Sequence, residues 1–190
     1  MIGVLALQGA FAAHARALAE LGETPILVRS PADLDRCDAL ILPGGESTTM
    51  LKLLNEEGLK ETLANFARHH PVLATCAGVI LLAREVTHPV QESLNILDLT
   101  VERNGYGRQI DSKIAHLDLL DITLQDGSPL EAVFIRAPVI HSTGPEVKTL
   151  ATFAGYSVLV EQGPHLAATF HPELTADRRV HRLFLSKLKG

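Results

Sequence analysis

The chain has 190 residues, a formal net charge of −5, a pI near 6.0 and no basic run, which argues against a nucleic-acid binder. Two cysteines cannot build a disulfide scaffold, and no stretch approaches the ~20 apolar residues of a membrane span. Met1 to Leu7 lacks the basic region and the length of a signal peptide, so a reducing, cytoplasmic setting is expected.

Ile2 to Leu7 reads as a buried strand, and the helix after it places Phe11, Ala15 and Leu18 on one face. Pro25 to Val28 and Ala39 to Leu42 read as further strands. The latter runs into Pro43-Gly44-Gly45-Glu46-Ser47-Thr48-Thr49, a Gly-Gly loop after which Ser and Thr open a helix as capping residues. Consecutive glycines let backbone N–H groups turn toward a ligand with no Cβ in the way, which suits an oxyanion or a carboxylate. An ordinary strand–turn–helix connection would carry the same composition. Leu59, Leu63 and Phe66 then recur at helical spacing.

Val72 to Ala74 is a short apolar run that leads into Cys76, set among the small residues Thr75, Ala77 and Gly78. Val79 to Ala83 resumes as an apolar helix. A nucleophile at such a sharp strand-to-helix turn projects from the sheet edge above the amide dipoles of the new helix, and those favour thiolate, the reactive form. A buried structural cysteine is the competing reading of Cys76 taken alone. Cys37, in a charged segment before a strand, is a bystander.

From Leu97 to Phe170 strand patterns dominate, with Leu117 to Leu124 and Ser157 to Gln162 as examples, and antiparallel additions to the sheet are expected there. Ala167 to Phe170 reads as a strand with His171 at its carboxyl end. Pro172 pushes His171 toward extended backbone, where residues i and i+2 point to the same side. The carboxylate of Glu173 can then reach one ring nitrogen of His171 and leave the other facing a thiol. That is the arrangement of nucleophile, base and orienting acid, which is recognised by roles rather than chain order. Val180, Leu183, Phe184 and Leu188 form the apolar stripe of a closing helix. His14, His69, His70, His116, His141 and His181 show no metal-ligand spacing with cysteine or carboxylate, so no metal and no cofactor are expected.

Strands separated by helices imply right-handed βαβ crossovers. The expected fold is α/β: three layers, a mostly parallel (mixed) sheet flanked by helices, and one domain over residues 1–190. Catalytic groups on such a sheet belong at the carboxyl ends of strands, where Gly45 and Cys76 fall.

Pro43-Gly44-Gly45-Glu46-Ser47-Thr48-Thr49, Thr75-Cys76-Ala77-Gly78, Val101-Glu102-Arg103-Asn104, Phe134-Ile135-Arg136-Ala137-Pro138 and Phe170-His171-Pro172-Glu173-Leu174-Thr175 together resemble the class I, triad-type glutamine amidotransferases. Within that family the first, third and fourth stretches are similar to the glutaminases of pyridoxal 5'-phosphate synthases. The resemblance runs from Leu5-Ala6-Leu7-Gln8-Gly9 to the last helix. It implies hydrolysis of L-glutamine to glutamate and ammonia, with Cys76 as nucleophile, His171 as general base and acid, and Glu173 orienting the imidazole. The tetrahedral oxyanion would take the backbone N–H groups of Gly45 and Ala77, and a thioester would follow. Gly45, Glu46, Ser47, Arg103, Ile135 and Arg136 would line the glutamine site; an arginine fork suits a carboxylate. As ordinary surface or interface residues, Arg103 and Arg136 have a second reading.

The resemblance also implies a partner, a (β/α)8-barrel synthase subunit that takes up the ammonia to make pyridoxal 5'-phosphate. The family elbow usually has glycine two residues before the cysteine, where this chain has Ala74; alanine fits if φ there is negative. The segment from His88 to Asn95 departs from the family's more glycine-rich connection and reads as loop variation away from the chemistry. Two other readings stay open at this point: another cysteine hydrolase on the same scaffold, and a catalytically decayed subunit acting as a binding module.

Overall fold

The computed structural model describes residues 1–103, 105 and 112–188. The first half of the chain forms β1 (Ile2–Leu5), α1 (Phe11–Glu20), β2 (Ile26–Val28), α2 (Pro31–Leu34), β3 (Ala39–Leu42), α3 (Ser47–Glu56), α4 (Lys60–His69), β4 (Val72–Thr75) and α5 (Ala77–Leu82). The second half forms β5 (Ala83–Thr87), β6 (Leu97–Glu102), β7 (Ser112–His116), β8 (Asp118–Leu119), β9 (Glu131–Ile135), β10 (Val139–Thr143), β11 (Lys148–Phe153), β12 (Tyr156–Gln162), β13 (His165–Ala168) and α6 (Arg179–Ser186). Short 3-10 turns occupy Ile122–Leu124 and Pro172–Leu174.

The main sheet runs in the order β2-β1-β3-β4-β13-β12-β10-β6-β5, with β11 and β8 added at β12. The β2-β1-β3-β4-β13 half is parallel throughout. Antiparallel pairing begins at β12 and continues through β10 to β6. β7 and β9 make a separate antiparallel pair.

The central strands are apolar without alternation because both of their faces are covered. Leu40 and Leu42 of β3 enter one core with Met50 and Leu54 of α3 and with Leu63 and Phe66 of α4. Ala39 and Ile41, one residue out of phase, enter the other core with Leu18 of α1 and with Val180 and Phe184 of α6. Period-two geometry thus divides one four-residue strand between two hydrophobic layers, which makes three layers in all.

α5 lies unusually close to β3. A Cβ on Gly78 would come within 2.3 Å of the Leu42 carbonyl oxygen, so only glycine lets the helix pack there. Ala74 sits inside β4, paired with Leu42 and Ala167, and is fully buried; its backbone φ is not positive. Alanine is therefore an ordinary strand residue at that point.

Several expectations need correction. The strand placed at Leu117 to Leu124 is only two residues long, at β8, because Asp121 accepts from the Thr123 N–H and starts a 3-10 turn. β13 ends at Ala168, so His171 lies three residues past the strand rather than at its end. Glu173 is not in extended backbone, since Pro172 opens a 3-10 turn. On α1 the buried face is His14, Ala17 and Leu18, with Phe11 and Ala15 only half-buried. Asn104 of the Val-Glu-Arg-Asn stretch lies outside the described residues.

α6 closes the second core through Phe184, which is fully buried beside the Phe134 and Phe170 layer. Its amino end is anchored by Arg179, whose guanidinium donates to the carbonyls of Leu124 (2.9 Å), Ser128 (3.1 Å) and Pro129 (2.8 Å) and to Asp177 and Asp126. Phe184→Ala should lower the unfolding free energy by about 3–5 kcal/mol in urea titration. A loss below about 1 kcal/mol would mean that α6 does not close this core.

Candidate active site

Three neighbouring parallel strands deliver the site. Leu42 of β3 pairs with Ala74 of β4, and Ala168 of β13 pairs with Thr75, so the three carboxyl ends are level. Gly44-Gly45, Cys76 and His171 each follow one of these ends, where a parallel sheet leaves space for a ligand.

Cys76 has φ 46 and ψ −109, a conformation strained for a residue with a Cβ. The turn is held from both sides: the Cys76 N–H donates to the Ala168 carbonyl (2.8 Å), and the Val79 N–H donates to the Cys76 carbonyl (3.0 Å). Its Sγ lies 3.8 Å from the Ile135 carbonyl oxygen. Gly44 lies against both Cys76 and His171. A Cβ there would fall 2.6 Å from His171 Cε1 and 3.0 Å from Cys76 Cβ.

His171 Nδ1 is 2.7 Å from Glu173 Oε1, and both side chains are buried. The expected contact is made, with the 3-10 turn curling Glu173 back onto the ring. The His171 backbone N–H donates to the Val133 carbonyl (2.8 Å), hanging the histidine on β9. Burial opposes charge on His171, yet the hydrogen bonds to Cys76 and Glu173 outweigh it and push the imidazole up to about 10. Burial likewise opposes charge on Glu173, and the hydrogen bond to His171 still holds its carboxyl below the usual range. The site is built to carry an imidazolium between a carboxylate and a sulfur.

Behind Glu173 lies a group that spacing arguments pass over. His14 of α1 is fully buried, with Nε2 3.3 Å from Glu173 Oε2 and 3.1 Å from Thr75 Oγ1. His14 Nδ1 is 3.0 Å from Nε2 of His181 on α6, also fully buried. Thr75 Oγ1 in turn accepts from the Gly44 N–H (3.1 Å). Burial, as the largest cause, lowers His14 to about 4 and His181 to about 3, so both rings are neutral at neutral pH. The signal available in the sequence is a histidine three and four residues before Ala17 and Leu18, on the stripe that must be buried.

The cavity in front of Cys76 has a volume of about 420 Å³. Gly45, Glu46, Ser47, Arg103, Ile135 and Arg136 all line it, as do Ala77 and His171. Glu173 takes no part in the wall and sits behind His171 instead. Neither the Gly45 nor the Ala77 N–H has a backbone acceptor among the described residues.

The cap of α3 differs from expectation. Glu46, not a hydroxyl, is the N-cap: its carboxylate accepts from the Thr48 N–H (3.1 Å) and the Thr49 N–H (2.7 Å) and pairs with Arg103 Nη2 (3.3 Å). Partial burial works against its charge, but the hydrogen bonds from Thr48 and Thr49 prevail and hold it down at about 2. Ser47 Oγ instead donates to Gln91 Oε1 (2.8 Å). The segment 88–95 therefore reaches the cavity wall, contrary to its reading as variation remote from the chemistry. Cys37 is buried and donates to the Asp33 carbonyl (3.3 Å), a structural role.

The profile of the SNO glutamine amidotransferase family matches residues 4–189. The chain is 54% identical over 189 residues to pyridoxal 5'-phosphate synthase subunit PdxT of Solibacter usitatus, covering 98% of each chain. It is 49% identical to the subunit of that name in Thermotoga maritima, covering 99% of each. A crystal structure of a glutamine amidotransferase superposes with a TM-score of 0.90 at 42% identity, covering 100% of this chain and 99% of that one. PurLQS from Thermotoga maritima shares the fold alone, with a TM-score of 0.67 at 16% identity over 98% of this chain and 97% of that one.

The buried neutral histidines set a pH dependence. In the unfolded chain they titrate near 6.5, whereas folded His14 and His165 resist protonation to about 4 and His181 to about 3. Unfolding takes up protons between those values, so stability falls as pH drops through that window. His171 is protonated in both states over most of it and adds little slope. Urea midpoints should decline from pH 6.5 toward pH 4, the unfolding free energy approaching a slope of ~1.4 kcal/mol per pH unit for each such histidine. A flat midpoint across that range would contradict neutral burial.

Proposed function

The chain belongs to the SNO glutamine amidotransferase family, and from that premise we propose that it hydrolyses L-glutamine and supplies the ammonia to a pyridoxal 5'-phosphate synthase. The observation that carries the reading is His171, held by Glu173 at 2.7 Å, which lines the same cavity wall as Cys76 with Gly44 against both.

Cys76 Sγ attacks the side-chain amide carbon of glutamine. The oxyanion that forms is met by the N–H groups of Gly45 and Ala77, each worth roughly 3–4 kcal/mol of barrier in comparable sites. His171 gives its proton to the departing nitrogen, and ammonia leaves with a thioester on Cys76. Water, deprotonated by His171, resolves the thioester to glutamate and returns the thiol. Glu173 keeps the ring oriented through both proton transfers. In the cavity wall the Arg103 guanidinium suits the α-carboxylate, with Glu46 fixing its position. Ser47 donates its hydroxyl proton to Gln91, so its oxygen lone pairs are free to accept from the α-ammonium.

Ammonia released into water is protonated and ceases to be a nucleophile, which gives the reaction a reason for a partner. We assign that partner to a (β/α)8-barrel synthase subunit docked over the site. No helix among the described residues is long and apolar enough to cross a membrane, and a thiol nucleophile is best kept in a reducing compartment such as the cytoplasm.

Glutamate production by the chain with its synthase subunit should disappear in Cys76→Ala. Glutaminase rates measured with and without the synthase test the coupling, and equal rates would remove the idea that docking matters. Gly44→Ala should lower kcat by about 100-fold, because its methyl group displaces the base from the sulfur. Full activity in Cys76→Ala would overturn the mechanism.

A further inference from the structure

The triad carboxylate has two oxygens, and His171 uses one. Glu173 Oε2 is buried without a well-aligned hydrogen-bond partner, and His14 Nε2 lies 3.3 Å from it. The same Nε2 is 3.1 Å from Thr75 Oγ1. The ring form of His14 follows from its surroundings. If Nε2 were bare it could accept from the Thr75 hydroxyl, but its lone pair would also face a carboxylate oxygen, and His181 would be left with a buried N–H at Nδ1 lacking an acceptor. If Nε2 carries the proton, that N–H lies between Glu173 and Thr75, and His181 Nε2–H donates to His14 Nδ1. His181 Nδ1 is then only an unused lone pair, the lesser cost.

Resting on the glutaminase reading above, we propose that His14 is a positioning residue: fixed by His181 in its Nε2–H form, it presents that N–H to Glu173 and keeps the carboxylate ionised and aimed at His171. Two helices distant in sequence, α1 and α6, thereby set the acid of the triad. The groups facing His14 are Glu173 and His171 from the His-Pro-Glu turn, Thr75 from β4, and Arg178 and His181 at α6. Arg178 does not substitute for it, because its guanidinium is engaged by Glu20 (2.8 Å) and the Thr175 carbonyl (2.6 Å). The neutrality of both buried rings agrees with this chain of donors. Removing the N–H takes the positive end of a dipole away from a shared cluster, which strengthens the hold of every group in it on protons. The acid limb of activity then moves to higher pH.

The test compares His14→Leu and His14→Gln in the full chain with its synthase subunit, since a glutamine amide can place an N–H near the Nε2 position. Glutamine hydrolysis is followed as kcat and KM against pH, and iodoacetamide alkylation of Cys76 is followed by peptide mass. His14→Leu should lose about tenfold in kcat with KM within about twofold, and both acid limbs should rise by about one pH unit. His14→Gln should recover most of the rate and return the limbs. Wild-type kcat and limbs in His14→Leu would overturn the proposal, as would equal impairment of both variants with unmoved limbs, the mark of a packing role. Should His14→Leu not fold, ¹⁵N spectra of the wild-type rings decide: neutral Nε2–H at His14 supports the assignment, and Nδ1–H or a charged ring sinks it. If the wild-type complex hydrolyses no glutamine, the functional reading fails, while the alkylation profile and the ring spectra still judge His14.

Discussion

β3, β4 and β13 lie side by side and point the same way, so the segments leaving their carboxyl ends must share one space. Leu42, Ala74 and Ala167 form one cross-strand row, and the Gly44-Gly45 loop, Cys76 and His171 all lie within a few residues of it. β4 and β13 are far apart in the chain, and their pairing brings Cys76 near His171. Parallel pairing needs covered faces, and the two cores provide them. Site and stability thus draw on the same hydrogen-bond ladder.

The polar groups behind that ladder are shielded from solvent. His171, Glu173, His14, Thr75 and His181 are all buried, and each polar atom there gains strength from a low local dielectric. The same burial penalises any unmatched charge. The cluster meets this by alternating roles: a carboxylate flanked by an imidazolium and a neutral imidazole, with no second anion among them. Such matching explains why the buried polar groups near the site form one connected set rather than isolated pairs.

The patterns legible in the sequence are those whose physics is short-ranged. The apolar runs at Ala39–Leu42 and Val72–Thr75 are too short for helices and too apolar for loops, and a cysteine between such a run and an apolar helix falls on a turn. Extended backbone is the route by which spacing brings Glu173 to His171, whereas the chain uses a 3-10 turn; a two-residue separation permits either. His14 escapes local reading because its partners, Thr75 and His181, are 61 and 167 residues away. Gln91 escapes it for the same reason, its link to Ser47 spanning 44 residues. Glu46 takes the helix cap from its hydroxyl neighbours because one carboxylate can serve two N–H groups and Arg103 together.

β9 belongs to the small sheet, yet it reaches both His171 and Cys76. The Val133 carbonyl receives the His171 backbone N–H, the Ile135 carbonyl lies beside the sulfur, and Ile135 and Arg136 wall the cavity. This strand and the residue after it act as a ruler, with His171, Cys76 and the cavity wall marked off in turn between Val133 and Arg136. A single inserted residue between Val133 and Ile135 would slide one mark past the others and turn the wall outward. Surface loops can absorb a change of length, but this ruler cannot be recut.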